Sequence, residues 1–357
     1  DQYEQIRAAL WCQGPGNVGF EALGKILSGE VNPSGKTSDT FIYDMTTAPW
    51  WNNWEATHYS NLEDMAVEGM NSGMAQTYYP SFTNYVEGIY VGYKYYETTA
   101  AEGAINYDET VQYPFGYGLS YTTFTQEMSD LTVDGGTISF DVTVTNTGSA
   151  AGKDVVEVYY NPPYTNGGIE KATANLIAFD KTETLEPGES ETITVTFDAE
   201  DMASYDTSGD GCYVLEEGDY IISVNSDSHT VLDQQIFTQD ETIRYEGDNK
   251  RESDKITATN QFEDVAGDVT YLSRADGFAN LAEATAAPAS DVMPEDLVAQ
   301  YHLNSNFDYS TYINEEDEMP VTGADNGIRL YELRGADYDD ERWEDLLDEL
   351  TLDDMMN

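Results

Sequence analysis

The segment PWWNNW, Pro49 to Trp54, places three indoles and two carboxamides within six residues. Indole faces stack against the C–H faces of sugar rings, and Asn52 and Asn53 carry donors and acceptors that bond hydroxyls. Trp50, Trp51 and Trp54 are therefore the candidate substrate-binding residues. The same rings more commonly cover a domain joint or a dimer contact, since tryptophans bury large areas for packing alone. A second spacing, Asp206, Ser208, Asp210, Gly211 and Glu217, comes close to the loop that holds calcium through alternating oxygen ligands and a final Glu. Ser208 departs from that pattern, and strand-like sequence flanks it where a calcium loop has helices. A plain acidic turn is expected there, and no metal site is assigned.

The remaining reactive side chains form no pattern. Cys12 and Cys212 are far apart and lack metal-ligand spacing, while His58, His229 and His302 are scattered and read as ordinary surface or loop residues. No cofactor is expected. The 68 Asp and Glu outnumber 15 Lys and Arg, for a formal charge of -53, so residue type alone singles out no catalytic carboxylate. A chain so acidic repels phosphates and anionic headgroups, which excludes nucleic acid and an anionic membrane surface as partners. No apolar run approaches the ~20 residues of a membrane span. No leader peptide is visible. Because the sequence opens on Asp1 rather than Met, a fragment is expected and the compartment, cytoplasmic or exported, stays open.

Elements that would carry these residues follow from periodicity. RAALWC, Arg7 to Cys12, reads as a short apolar strand ending in a glycine-rich turn. A helix follows, with Phe20, Leu23 and Leu27 on one face and Gly29 as its stop, and NPSG, Asn32 to Gly35, reads as a turn. EGIYVGYKYYE, Glu87 to Glu97, fits either a strand or a buried helix. Beyond Phe124 the texture changes to strict alternation: TISFDVTVTN at 137–146, then DVVEVYY, ETITVTF and DYIISV, separated by NTG, PGES and EEGD turns. That is the pattern of a β-sandwich of about 110 residues. From about 240 to 335 a polar stretch reads as an extended connector. Trp343, Leu346, Leu347 and Leu350 then mark one helical face, and Thr351 with Asp354 a cap that starts another helix.

Taken in order, these segments resemble family 3 of the glycoside hydrolases, which includes β-glucosidases and β-xylosidases. The resemblance rests on W-x-x-x-PG-x-x-G (Trp11, Pro15, Gly16, Gly19), G-x-x-NPSG (Gly29, Asn32 to Gly35), Y-x-EGIYVGY-x-YY (Tyr85 to Tyr96) and PFGYGLSYTTF (Pro114 to Phe124). NTG-x-x-x-GK-x-VV (Asn146 to Val156) and L-x-PGES (Leu185 to Ser190) continue it through the fibronectin type III-like module. It spans residues 5–240 and implies an α/β plus all-β fold: 1–118 as the C-terminal part of an α/β-sandwich domain and 119–240 as the fibronectin type III-like β-sandwich. Residues 241–335 would be a linker or lead-in. ERWEDLLDELTLDDM would make 336–357 the first helix of the barrel domain, in members whose barrel comes last. There Leu350 stands where Met is usual, and Asp353 and Asp354 replace two Glu.

Physically, PFGYGLSYTTF suits a joint, where glycines and Pro114 set the turn and the rings fill a seam. The resemblance implies hydrolysis of β-linked glucosides or xylosides, and their oligosaccharides, with retention. It places the nucleophilic Asp beyond Asn357 and the general acid Glu before Asp1, so no catalytic residue is assigned within the chain. Glu87, at the family's EGI position, reads as a carboxylate bonding backbone at a strand start. Association into a homo-oligomer is expected from sheet edges and apolar surface left bare in 1–118. The alternative is a non-catalytic carbohydrate-binding or scaffold protein built from the same modules.

Overall fold

A computed structural model describes residues 5–12, 14, 16, 18–208, 211–258, 269–299 and 321–356. The chain divides into two compact units, Asp1–Val292 and Met293–Asn357. Among the described residues no helix is long and apolar enough to cross a membrane.

Arg7 to Cys12, expected as a strand, is irregular, with Trp11 69% exposed. A strand needs a neighbour to take up its backbone groups, and among the described residues none pairs with it. Helix α1 (Gly19–Ser28) follows and ends as its sequence dictates, with Gly29 at φ 77° and its N–H donating to the Ile26 carbonyl. Phe20 and Leu27 of α1 lie exposed. NPSG is not a turn but an irregular run that docks elsewhere. Strands in this part are short: β1 (Phe41–Ile42), β2 (Thr57–His58), β3 (Val67–Asn71), β4 (Met74–Tyr78), β5 (Ser81–Phe82) and β6 (Val111–Tyr113). They pair as antiparallel couples, β1 with β6, β2 with β5 and β3 with β4.

The stretch that fitted strand or helix resolves into a turn at Glu87 and helix α2 (Tyr93–Ala101), followed by α3 (Tyr107–Thr110). Thr98 and Thr99 return their hydroxyls to the carbonyls of Lys94 and Tyr95, both at 2.6 Å, so these β-branched residues bury without leaving a donor unpaired. Tyr90, Tyr95 and Tyr96 join Val111, Leu272, Phe278 and Ala284 in a small core. The last three lie in the stretch expected as connector. Helices α4 (Ala275–Phe278) and α5 (Leu281–Ala284) thus pack against the α/β part instead of running extended.

The β-sandwich forms as the alternation requires. Its strands are β7 (Phe124–Met128), β8 (Thr132–Asp134), β9 (Thr137–Asn146), β10 (Val155–Asn161), β11 (Asn175–Lys181), β12 (Ser190–Asp198), β13 (Ser204–Asp206), β14 (Cys212–Leu215), β15 (Gly218–Asn225), β16 (Val231–Gln239) and β17 (Ile243–Tyr245). One sheet runs β12-β9-β7, with β8 on β9; the other runs β11-β10-β15-β16. Ile138, Phe140, Val142 and Val144 point inward from β9 to share a core with Ile193 and Val195 of β12 and Val156, Val158, Ile222 and Val224 of the other sheet. A small third sheet, β13-β14-β17, carries pairing past residue 240, the boundary expected from the sequence. β14 and β17 therefore bind three residues of the expected linker into the module.

PFGYGLSYTTF is the seam between these parts. Gly116 takes φ 81°, and a Cβ there would lie 2.1 Å from a Glu157 carboxylate oxygen of β10. Gly118 has no positive φ; it is needed because a Cβ would meet the Gly35 carbonyl at 2.3 Å. The Phe115 ring stacks on Tyr93 of α2 at 4.7 Å, and Tyr93 meets Tyr159 of β10 edge-on at 6.0 Å. Asn32 of NPSG locks the strand exit: its Oδ1 accepts from Ser120 Oγ (3.0 Å) and Tyr121 N–H (2.8 Å), and its Nδ2 donates to the Ala151 carbonyl (3.0 Å).

In the smaller unit, α6 (Glu295–Val298) precedes α7 (Arg342–Asp348) and α8 (Leu352–Met356). The expected cap is present, with the Asp354 N–H donating to Thr351 Oγ1 at 3.2 Å and the Thr351 N–H to Asp354 Oδ2 at 3.0 Å.

Candidate functional site

Pro49 opens a tight double turn, in which the Trp51 N–H donates to Ala48 and the Asn53 N–H to Trp50. This brings the three indoles of the segment close together. Trp51 and Trp54 stack at 6.3 Å with 28° between their planes, and Trp50 meets Trp51 at 6.2 Å. Trp54 is 56% exposed. Each neighbouring carboxamide commits one N–H to the fold, which the sequence did not suggest. Asn52 Nδ2 donates to the Thr285 carbonyl (2.9 Å) and Asn53 Nδ2 to that of Ala286 (3.0 Å), tying the loop to the end of α5.

Trp50 turns the other way, into a cavity of about 280 Å³ that it shares with Asp39, Thr40, Phe41, Glu87 and Tyr96. Glu87 sits in a turn rather than at a strand start, and no described residue hydrogen-bonds its carboxylate. Burial raises its pKa above the usual carboxylate range. Burial also raises the Tyr96 phenol, with the nearby charges of Tyr95, Asp39 and Glu87 adding to the shift. The Thr40 hydroxyl is buried without a partner among the described residues. An aromatic wall facing acceptor oxygens and an unsatisfied hydroxyl suits a polyhydroxylated ring. Sequence reasoning placed Trp50 here but missed Asp39 and Thr40, which carry no local signal.

A second polar cluster lies where α2 and α3 face the β-sandwich. Glu97, buried, accepts from Tyr107 Oη (2.7 Å) and Ser228 Oγ (2.8 Å), and its other oxygen meets His229 Nδ1 at 2.8 Å. His229 is exposed in the β15–β16 turn, the surface loop position expected, and it is this pairing with a buried acid that the sequence did not suggest. The hydrogen bond to Glu97 raises its pKa, against an opposing effect of burial. A third knot gathers around Glu170. It accepts from Tyr90 Oη, from Ser273 Oγ and from the Arg274 N–H, while the Arg274 side chain reaches Glu102 at 2.6 Å. Leu272, Ser273 and Arg274 therefore fasten the two modules together.

In the calcium-like spacing, Asp206 accepts from the Ser208 N–H and pairs with Arg244 at 3.0 Å. Asp210 and His302 lie outside the described residues.

Comparison with known proteins agrees with this architecture. Residues 1–121 match the glycosyl hydrolase family 3 C-terminal domain, and residues 154–228 match a fibronectin type III-like domain. Beta-glucosidase A of Butyrivibrio fibrisolvens is 38% identical over 237 residues, 61% of this chain and 25% of its own. A beta-glucosidase of Ruminococcus albus is 34% identical, covering 66% of this chain and 22% of its own. Among solved structures, a beta-glucosidase from Paenibacillus barengoltzii superposes with a TM-score of 0.52 at 32% identity, over 64% of this chain and 23% of that one. The Kluyveromyces marxianus beta-glucosidase in complex with glucose gives 0.51 at 30%, over 63% and 23%. The chain thus spans about a quarter of the length of these relatives. It carries the C-terminal domain of glycosyl hydrolase family 3 followed by a fibronectin type III-like domain.

Proposed function

We propose that this chain supplies the C-terminal α/β-sandwich portion and the fibronectin type III-like module of a retaining β-glycosidase that removes terminal β-linked glucose. β-Glucosides are its substrates, with β-xylosides and oligosaccharides of either as the wider class. The observation that carries this reading is the match over 237 residues, at 38% identity, to a protein named beta-glucosidase A. Retention needs two carboxylates about 5–5.5 Å apart, one attacking the anomeric carbon and one protonating the leaving oxygen. By the motif correspondence both lie on polypeptide outside residues 1–357.

The chain's own part is to position. Trp50 and the Glu87 cavity, with the Trp51–Trp54 platform beside them, line outer sugar subsites, and the joint holds this wall rigid. Residues 336–357, with their capped second helix, begin the barrel, and 1–118 and 119–245 form the two modules before it. The apolar face of α1 provides a contact for a further copy. Assay of the protein made from the complete reading frame tests the reading: it releases nitrophenol from an aryl β-glucoside with retention. Binding of cello-oligosaccharides without any turnover would favour the non-catalytic alternative.

A further inference from the structure

A cavity of about 660 Å³ lies not beside the tryptophans but at the joint between α2–α3 and the β10-β15-β16 face of the sandwich. Its size falls within the ~300–1,000 Å³ of small-molecule sites. Its lining joins aromatic faces, Tyr107 and Tyr160, to side-chain amides, Asn161, Asn225 and Gln234, with His229 at the rim. Asn225 is 3% exposed, yet its Oδ1 accepts no hydrogen bond from any described residue. A buried carbonyl oxygen left unpaired is costly, and such groups in native proteins are commonly held for a ligand or water.

The chemistry of the lining selects the class of ligand. Its one acid, Glu97, is already occupied by Tyr107, Ser228 and His229, and its one basic side chain, His229, is held by Glu97. Nothing remains to pair with a charged ligand. Amides and phenol faces without charge fit a neutral polyhydroxylated ring, with hydroxyls donating to Asn225 Oδ1 and ring C–H groups lying on tyrosine. We propose that this joint cavity is a second carbohydrate site, separate from the Trp50 cavity, which takes a neutral mono- or disaccharide and couples its occupancy to how firmly the two modules are held together. The choice of glucose and cellobiose as probes rests on the β-glucoside reading; the site itself does not.

The test uses the 357-residue chain, titrated with glucose, cellobiose, xylose and arabinose, by calorimetry and by thermal unfolding. Glucose or cellobiose is expected to bind with a Kd in the millimolar to micromolar range and to raise Tm. Asn225→Leu, which keeps the number and branching of side-chain heavy atoms and removes the orphan oxygen, is expected to weaken binding roughly tenfold, the loss of about one hydrogen bond. Without sugar the same variant should melt higher, by roughly 2–4 °C. A purely structural Asn225 would instead melt lower when replaced. Ala174→Trp, which fills the cavity from another wall, provides an independent block and should also abolish binding. Absence of saturable binding by all four sugars, or binding that survives both substitutions, overturns the site. Binding of xylose or arabinose alone that is lost in Asn225→Leu supports the site and counts against glucose as the substrate sugar. Aryl-glucoside hydrolysis by the complete protein, measured separately, decides that reading on its own.

Discussion

The imidazole of His229 lies face to face on the phenol of Tyr107, with ring centroids 3.6 Å apart and 7° between the planes. Both rings are tied to the same buried carboxylate, Glu97, one from the β15–β16 turn and one from α3. One acid thus gathers groups from both modules, and its grip on His229 depends on pH. The pKa of His229 is raised in the fold, chiefly by its hydrogen bond to Glu97, with Asp227 and Asp108 contributing. Stabilisation is therefore full below the ordinary histidine value and fades as pH rises through the raised one. The margin in Tm between the parent chain and His229→Gln should be larger at pH 5 than at pH 9. An equal margin at both would show that the charge on His229 does not contribute.

Glu157 gives a second pH dependence through a different cause. It is 4% exposed, and burial pushes its pKa up to about 7, although Tyr159 Oη and the Lys36 charge pull it down. An acid raised in the fold costs nothing while protonated. The penalty grows as pH rises from the ordinary glutamate value to about 7 and is constant above it. Glu157→Gln should therefore stabilise the chain at pH 8 by about 1–3 kcal/mol and leave it nearly unchanged at pH 4.5. Denaturant unfolding at the two pH values checks this.

Gly116→Ala should be among the costlier single changes at the joint. It forces a left-handed φ on a residue with a Cβ and drives that Cβ against the Glu157 carboxylate. The loss should be about 2–4 kcal/mol. Gly167→Ala, with φ 72° but open space around it, provides the control. It should cost only about 1 kcal/mol. Equal losses for the two would mean that the contact with Glu157 adds nothing.

Trp54 is exposed, so Trp54→Ala should change stability by less than about 0.5 kcal/mol. If the Trp51–Trp54 platform serves outer subsites, the complete enzyme should show a KM for cello-oligosaccharides raised roughly tenfold, a loss of about 1–2 kcal/mol in sugar stacking. kcat on a short aryl glucoside should stay near that of the parent. An unchanged oligosaccharide KM removes the platform from the substrate path.

Legibility in the sequence followed the range of the interactions. The sandwich could be read from the alternation of Ile138, Phe140, Val142 and Val144, because one-sided burial writes itself into period two. Gly29 and the Thr351–Asp354 cap were equally local. Arg7 to Cys12 misled because an apolar run specifies a strand only when a partner strand is beside it. Asn52 and Asn53 show the converse: each gives a donor to a carbonyl more than 200 residues away, which no local pattern announces. The same distance hid the pairing of Glu97 with His229 and the packing of Leu272 and Phe278, which a polar connector gave no reason to expect. Of the candidate site, the tryptophans were visible and the oxygens opposite Trp50 were not.

The most direct measurement is aryl β-glucosidase activity of the purified chain of residues 1–357, beside that of the protein from the complete reading frame. Under the proposed function, which has the attacking and protonating carboxylates supplied from outside the chain, the expected result is turnover by the complete protein and none by the chain alone. Turnover by the chain alone that disappears when one of its own acidic residues, Glu87 foremost, is changed to the amide would contradict the account.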